Sequence, residues 1–343
     1  ITYNGMIYNY LELKKKLETE KKFNNWIGAS DTEVLLNSFS LIGIEKTLEF
    51  VDGMFALALW DIKEKELTLI RDRCGEKPLF YFLKNKNIFF SSSLNSFYSL
   101  DLFDKKLNNK SVELYFQYGN IPNPSSIYKN IFKLKPGSYL KFNFNKNKFL
   151  SEKIYWNSKN IYTNIKNKNS KHSKIEIDEQ FYDIFKKSVS KRMLSDAPIG
   201  SFLSGGMDSS LTTCIMQELS LNKVKTFSIG NYSNQNEANY SKKISNILNT
   251  DHEEYYLTSQ DVKFYLPKIP YVYDEPFADS SQIPTLLVSN IAKKKVKVCL
   301  TGDGGDELFC GYSRYNNAVN LWNMSKYIPF AFKKLNKLLL SKI

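Results

Sequence analysis

The segment Ser204-Gly-Gly-Met-Asp-Ser-Ser210 constrains this 343-residue chain more than any other. It stands between an apolar run, Ile199 to Leu203, and a stretch of helical spacing from about Ser209 to Leu219. Paired glycines at a strand-to-helix turn let the backbone approach a ligand with no Cβ in the way. The N–H groups of the turn and of the helix N-terminus then face an anion. Ser204, Ser209 and Ser210 add hydroxyl donors, and Asp208 suits a Mg2+ that bridges phosphates. Taken alone, these residues could also be a Gly-Gly turn before a helix cap. The GxxxxGK[ST] pattern of the common phosphate loop is absent.

A second glycine-rich segment, Thr301-Gly-Asp-Gly-Gly-Asp-Glu307, follows the apolar run Val296 to Leu300. Between the two segments strand-like and helical stretches alternate: Val224 to Ile229 as strand, Tyr240 to Leu248 and Thr285 to Lys293 as helices. Such alternation predicts a parallel, doubly wound sheet. Ligands of such sheets bind at the carboxyl ends of the strands, so both segments are expected to converge on one crevice. Asp306 is then a second Mg2+ ligand opposite Asp208; the spacing of an EF-hand calcium loop is absent.

The first 150 residues have a different texture. Phe55 to Trp60, Glu66 to Ile70, Pro78 to Phe82 and Ile88 to Phe90 read as strands, and Tyr10 to Leu17 and Asp31 to Phe39 as helices, the second capped by Ser30 or Asp31. Layered α+β packing is the expectation. Residues 157–175, rich in Asn, Lys and Ser, read as a linker or exposed loop between a domain at 1–156 and a domain at 176–343, which opens with a helical pattern from Asp178 to Leu194. No internal repeat is present.

The loop SGGxDS resembles that of ATP pyrophosphatases, which cleave ATP between its α- and β-phosphates. The longer segments Phe202–Ser210, Asp274-Glu-Pro-Phe-Ala-Asp-Ser-Ser281 and Gly302–Tyr312 resemble signature segments of the asparagine synthetase family. Upstream, Asn4-Gly-Met-Ile-Tyr-Asn9, Ser30-Asp-Thr-Glu33, Asp52-Gly-Met-Phe-Ala56 and Arg71-Asp-Arg-Cys-Gly-Glu-Lys-Pro78 are similar to its glutaminase half. The resemblance runs from Tyr3 to about Tyr315.

It implies an N-terminal-nucleophile αββα sandwich (the class II glutamine amidotransferase fold), followed by a doubly wound ATP pyrophosphatase domain. It implies glutamine, ATP and aspartate, or another carboxylate, as substrates. Asn4 and the Gly5 N–H would form the oxyanion hole, with such donors worth roughly 2.7–4 kcal/mol each, and Asp31 would hold the glutamine ammonium group. Leu203 and Ile229 would line the adenine side. Ser204, Gly205, Gly206, Asp208, Ser209 and Ser210 would hold pyrophosphate and Mg2+. Thr301 and Gly302 would contact the nucleotide, and Asp303 would assist acyl-adenylate formation. Glu275 and Asp279 are candidates for orienting the acceptor or metal, with ion-pair or capping roles as alternatives.

There are departures. Met6 stands where the family usually has Glu, no acid stands near Ser91-Ser-Ser93, and Cys74 takes an apolar position, which reads as packing. The family's nucleophilic cysteine and arginine segment would precede Ile1, and a later lysine of the ATP site would follow Ile343. The chain is therefore expected to be a fragment, without glutaminase activity by itself.

The net charge of +13 is spread along the chain and forms no basic block, so nucleic acid is not an expected partner. No run approaches the ~20 apolar residues of a membrane span. Four cysteines without a CxxC pair, and two histidines, argue against a zinc site or a disulfide framework and fit a reducing cytoplasm. A homodimer is compatible with all of this. The tail from Trp322 to Ile343 reads as a domain helix or, alternatively, a membrane-surface helix. Rival functions are amidation of another carboxylate such as a sugar acid, lactam closure, sulfur transfer to RNA, and an inactive relative serving as a binding protein. Sulfur transfer would want cysteines near the loop, and Cys214 shows no partner.

Overall fold

In the computed structural model, residues 1–166, 173–230 and 237–326 are described. They fall into two compact units, Ile1–Leu194 with Ser259–Leu286, and Ser195–Thr258 with the residues from Leu287 onward. This division differs from a single cut at 157–175.

The strands of the first unit are β1 (Thr2–Ile7), β2 (Gly53–Asp61), β3 (Glu66–Arg71), β4 (Phe80–Lys84), β5 (Asn87–Ser91), β6 (Phe132–Lys133), β7 (Ser138–Asn143) and β8 (Lys148–Ile154). One antiparallel sheet is ordered β1-β2-β3-β7-β8 and another β5-β4-β6. The two-residue period of β2 sets the layers. Phe55 and Leu57 enter a core with Leu13, Leu35, Phe39 and Leu48 from the helices Tyr10–Lys21, Asp31–Ile42 and Ile44–Phe50. Ala56 and Ala58 point the other way, into a core that Tyr81, Ile88 and Phe90 of the second sheet cover. Beyond that sheet, Phe80 and Phe82 pack with Leu94, Phe97 and Ile131. The αββα layering expected from the resemblance is present, and each fully buried Leu or Phe contributes roughly 1.5–3 kcal/mol.

Three local expectations are corrected. The strand expected from Pro78 begins at Phe80; Pro78 has no N–H for a ladder, and the Arg71 guanidinium binds the Lys77 carbonyl just before it. Residues 158–166, expected as linker, form the helix Ser158–Lys166, with the Asn157 side chain accepting from the Lys159 N–H at its start. Cys74, expected to pack, is exposed. The helix Lys174–Arg192 opens with a capping box between Ser173 and Glu176.

The second unit is a parallel sheet of β9 (Ile199–Phe202), β10 (Lys225–Gly230), β11 (Asp251–Tyr256) and β12 (Val298–Leu300), ordered β11-β10-β9-β12. The chain runs from β9 to β10 and β11 on one side, then returns to place β12 on the other. The strand order therefore reverses between β9 and β12, where ligand crevices of open α/β sheets form. Phe227, Val288, Ala292 and Val296 make a core on this sheet. Of the tail from Trp322, residues 327–343 lie outside the described residues.

Candidate active site

In the second unit, the glycine-rich segments leave adjacent strands, β9 and β12, at their carboxyl ends. Gly205 has φ +85°, in the left-handed region that glycine tolerates best. Gly206 caps the helix Met207–Leu219 with no side-chain acceptor on its first N–H groups, which leaves those donors for a ligand. The Ser204 and Ser209 hydroxyls lie 2.9 Å apart, the Gly206 N–H donates to Ser204 Oγ at 3.3 Å, and the Ser210 hydroxyl donates to the Gly206 carbonyl at 2.6 Å. Ser209 is buried and braces the turn, whereas Ser204 is exposed.

The two segments touch. A methyl group added at Gly302 would come within 2.7 Å of the Ser209 nitrogen and 3.0 Å of Asp208 Cβ, and one at Gly305 would overlap the Asp208 carboxylate. Asp208 and Asp306 are both half-buried. Asp306 sits in the first turn of the short helix Gly305–Phe309, with its carboxylate against Gly311. Asp303 is exposed and its N–H donates to Thr301 Oγ1 at 3.3 Å. Leu203 is fully buried, with its N–H donating to the Phe227 carbonyl, so its side chain offers no surface; Ile229 is half-buried. Among the described residues no group of three or more His, Cys, Asp or Glu could hold a metal alone. The Asp208 carboxylate, beside the N–H donors of the 204–210 turn, nonetheless fits Mg2+, which takes one or two carboxylates and fills its octahedron with phosphate oxygens and water.

In the first unit, Asn4 lies exposed on β1, and its side-chain N–H donates to Ser92 Oγ at 3.0 Å. Gly5 is required by close approach: a Cβ there would strike the Met54 carbonyl and come 2.6 Å from Phe55 Cα. Asp31 Oδ2 accepts from the Tyr3 hydroxyl at 2.7 Å and from the Ile7 N–H at 2.9 Å. Burial, and then that hydrogen bond to Asp31, push the Tyr3 hydroxyl far above its usual range, so it stays protonated as a donor. Behind these residues Asp72, fully buried, accepts from the N–H groups of Phe55, Glu76 and Lys77 at 3.2, 2.9 and 2.9 Å. Arg71 donates to the carbonyls of Lys77, Gly75 and Leu134 at 2.8, 2.8 and 2.7 Å.

The segment Asp274–Ser281 also belongs to this unit. Glu275 Oε2 accepts from Lys133 Nζ at 2.6 Å and Oε1 from the Ile127 N–H at 2.7 Å. Asp279 accepts from the Ser281 N–H at 2.8 Å, which holds its carboxyl below its ordinary range. The ion-pair and capping contacts weighed for these two residues are both present. Sequence reasoning missed Asp274. Its Oδ1 accepts from the Ser93 hydroxyl at 2.7 Å and the Asn95 N–H at 3.3 Å, so the acid absent near Ser91–Ser93 in sequence arrives from 181 residues away.

Residues 180–343 match the family described as asparagine synthase, and residues 1–156 match the glutamine amidotransferase domain. A Methanocaldococcus jannaschii protein, provisionally named asparagine synthetase [glutamine-hydrolyzing] 2, is 40% identical over 94% of this chain and 60% of its own length. Asparagine synthetase [glutamine-hydrolyzing] 1 of Bacillus subtilis is 33% identical over 98% of this chain and 51% of its own length. A Mycobacterium tuberculosis protein, also provisionally named asparagine synthetase [glutamine-hydrolyzing], is 30% identical over 94% of the chain and 49% of its own length. The chain thus spans between about half and three fifths of these relatives.

Proposed function

Because the chain belongs to the glutamine-dependent asparagine synthetase family, we propose that the whole protein makes asparagine from aspartate, ATP and the ammonia of glutamine, releasing AMP and pyrophosphate. The observation that carries this is the contact of the two glycine-rich segments, which brings Asp208 beside the Gly302–Gly305 turn at the switch point of the parallel sheet.

On this reading, N–H donors of the 204–210 turn and the helix behind it hold the pyrophosphate part of ATP. Ser204, Gly205, Gly206, Asp208 and Ser210 line that end, and Ser209 keeps the turn in shape. Thr301, Gly302 and the strand end at Ile229 bound the nucleotide, with Leu203 fully buried behind them. Asp303 faces the acceptor carboxylate as it attacks the α-phosphate. Asp208 and Asp306 would hold Mg2+, whose charge would offset that of departing pyrophosphate. In the first unit, Asn4 and the Gly5 N–H stabilise the oxyanion formed from glutamine, and Asp31, fixed by Tyr3 and Ile7, holds the glutamine ammonium group.

The test is to supply the full-length protein with glutamine, ATP, Mg2+ and aspartate and to look for asparagine by mass spectrometry. Asparagine supports the proposal. An amide formed only on another carboxylate, such as a sugar acid, would keep the mechanism and replace the acceptor.

A further inference from the structure

The residues matched to the asparagine synthase family begin at residue 180, yet Ser259–Leu286 clusters with the amidotransferase residues in the first unit. Specific polar contacts seat it there. Asp274 accepts from Ser93 and Asn95, Asn95 Nδ2 donates to the Tyr271 carbonyl at 2.9 Å, Glu275 pairs with Lys133, and the Ala278 N–H donates to the Gly119 carbonyl at 2.7 Å. The contact at Asp274 falls on the turn Ser91–Asn95, in which the Ser93 N–H also donates to Ser91 Oγ and the Asn95 N–H to Ser93 Oγ. The neighbouring residue in that turn, Ser92, accepts the Asn4 side-chain N–H at 3.0 Å.

A carboxamide has two N–H groups on one rigid plane. Holding one fixes the direction of the other. We propose that Ser92 and Asp274 are positioning residues for Asn4: Ser92 takes one amide proton so that the second aims at the glutamine oxyanion, and Asp274 holds the Ser91–Asn95 turn that presents Ser92. Through Asp274, a segment of the asparagine-synthase sequence sets the geometry of glutamine hydrolysis. The inference rests on the proposed role of Asn4 in the oxyanion hole.

An oxyanion donor acts on the transition state and not on bound glutamine, so misaiming it lowers kcat and leaves KM unchanged. Removal of an oxyanion donor costs roughly a hundred- to a thousandfold; loss of its support is expected to cost about tenfold. Glutaminase kinetics and thermal melts are to be measured on the full-length protein with Ser92→Ala, Ser92→Thr, Asp274→Ala and Asp274→Asn. The expected result is a fall in kcat of about tenfold for both alanine variants, at unchanged KM and with melting retained. Ser92→Thr and Asp274→Asn, which keep an acceptor, should recover most of it. Coupled action predicts that the double alanine variant is little worse than the worse single one. A raised KM at unchanged kcat, or wild-type kcat in both alanine variants, overturns the inference and leaves the proposed function standing. An unmodified protein that does not hydrolyse glutamine overturns the proposed function itself.

Discussion

The Asp208 carboxylate rests against Gly305, with no room for a side chain between them. This contact joins the turn after β9 to the turn after β12. The φ of Gly305 is not in the left-handed region, so the restriction is steric and comes from Asp208. Gly305→Ala is therefore expected to displace Asp208 and to reduce carboxylate-dependent ATP–pyrophosphate exchange at least tenfold while thermal melting changes little. Gly304 has no atoms near its missing Cβ but a φ of +88°. Gly304→Ala should instead cost stability through backbone strain, on the order of 1 kcal/mol, seen in the melt before the exchange rate.

Asp208 and Asn4 lie in different units. Asp208→Ala in the full-length protein should abolish ATP–pyrophosphate exchange and leave glutamine hydrolysis within about twofold of the parent. Loss of both activities with an intact fold would contradict this separation.

Much of this arrangement is legible in the sequence because it is local. The alternation of Phe55, Leu57 and Ala56, Ala58 announces a strand between two cores, and Gly-Gly between an apolar run and a helix announces an anion turn. What was not legible is long-range. Nothing near Ser93 marks Asp274 as its partner, and nothing near Glu275 marks Lys133. The burial of Leu203 follows from the neighbouring strand, not from its own segment. The helix Ser158–Lys166 hid because its apolar residues, Ile161, Tyr162 and Ile165, are few and stand in a short run of Asn, Lys and Ser that reads as a connection.

The Lys133–Glu275 pair is 2.6 Å long and each side chain is only 13% exposed. Removing one partner leaves a charge with little water. Lys133→Ala or Glu275→Ala should destabilise the first unit by about 3–5 kcal/mol, whereas replacing both by apolar residues of similar volume should cost much less. Urea denaturation of the three variants decides this.

His252 lies between two hydroxyls, with Nδ1 2.9 Å from Thr226 Oγ1 and Nε2 3.2 Å from Ser228 Oγ. Burial lowers its pKa from the ordinary 6.5. Below pH 6.5 the unfolded chain takes up a proton at this residue that the folded chain refuses, so stability falls as the pH drops. The urea midpoint of the second unit is expected to decline as the pH falls below about 6.5, and His252→Gln should flatten that decline.

Cleavage of ATP between its α- and β-phosphates at the paired glycine-rich turns is what the proposed function requires above all. The direct measurement is product analysis of ATP turnover by the full-length protein with glutamine and aspartate, by 31P NMR or ion-exchange chromatography. AMP and pyrophosphate, formed in equal amounts and lost in Asp208→Ala, are the predicted products. ADP and phosphate would contradict the account.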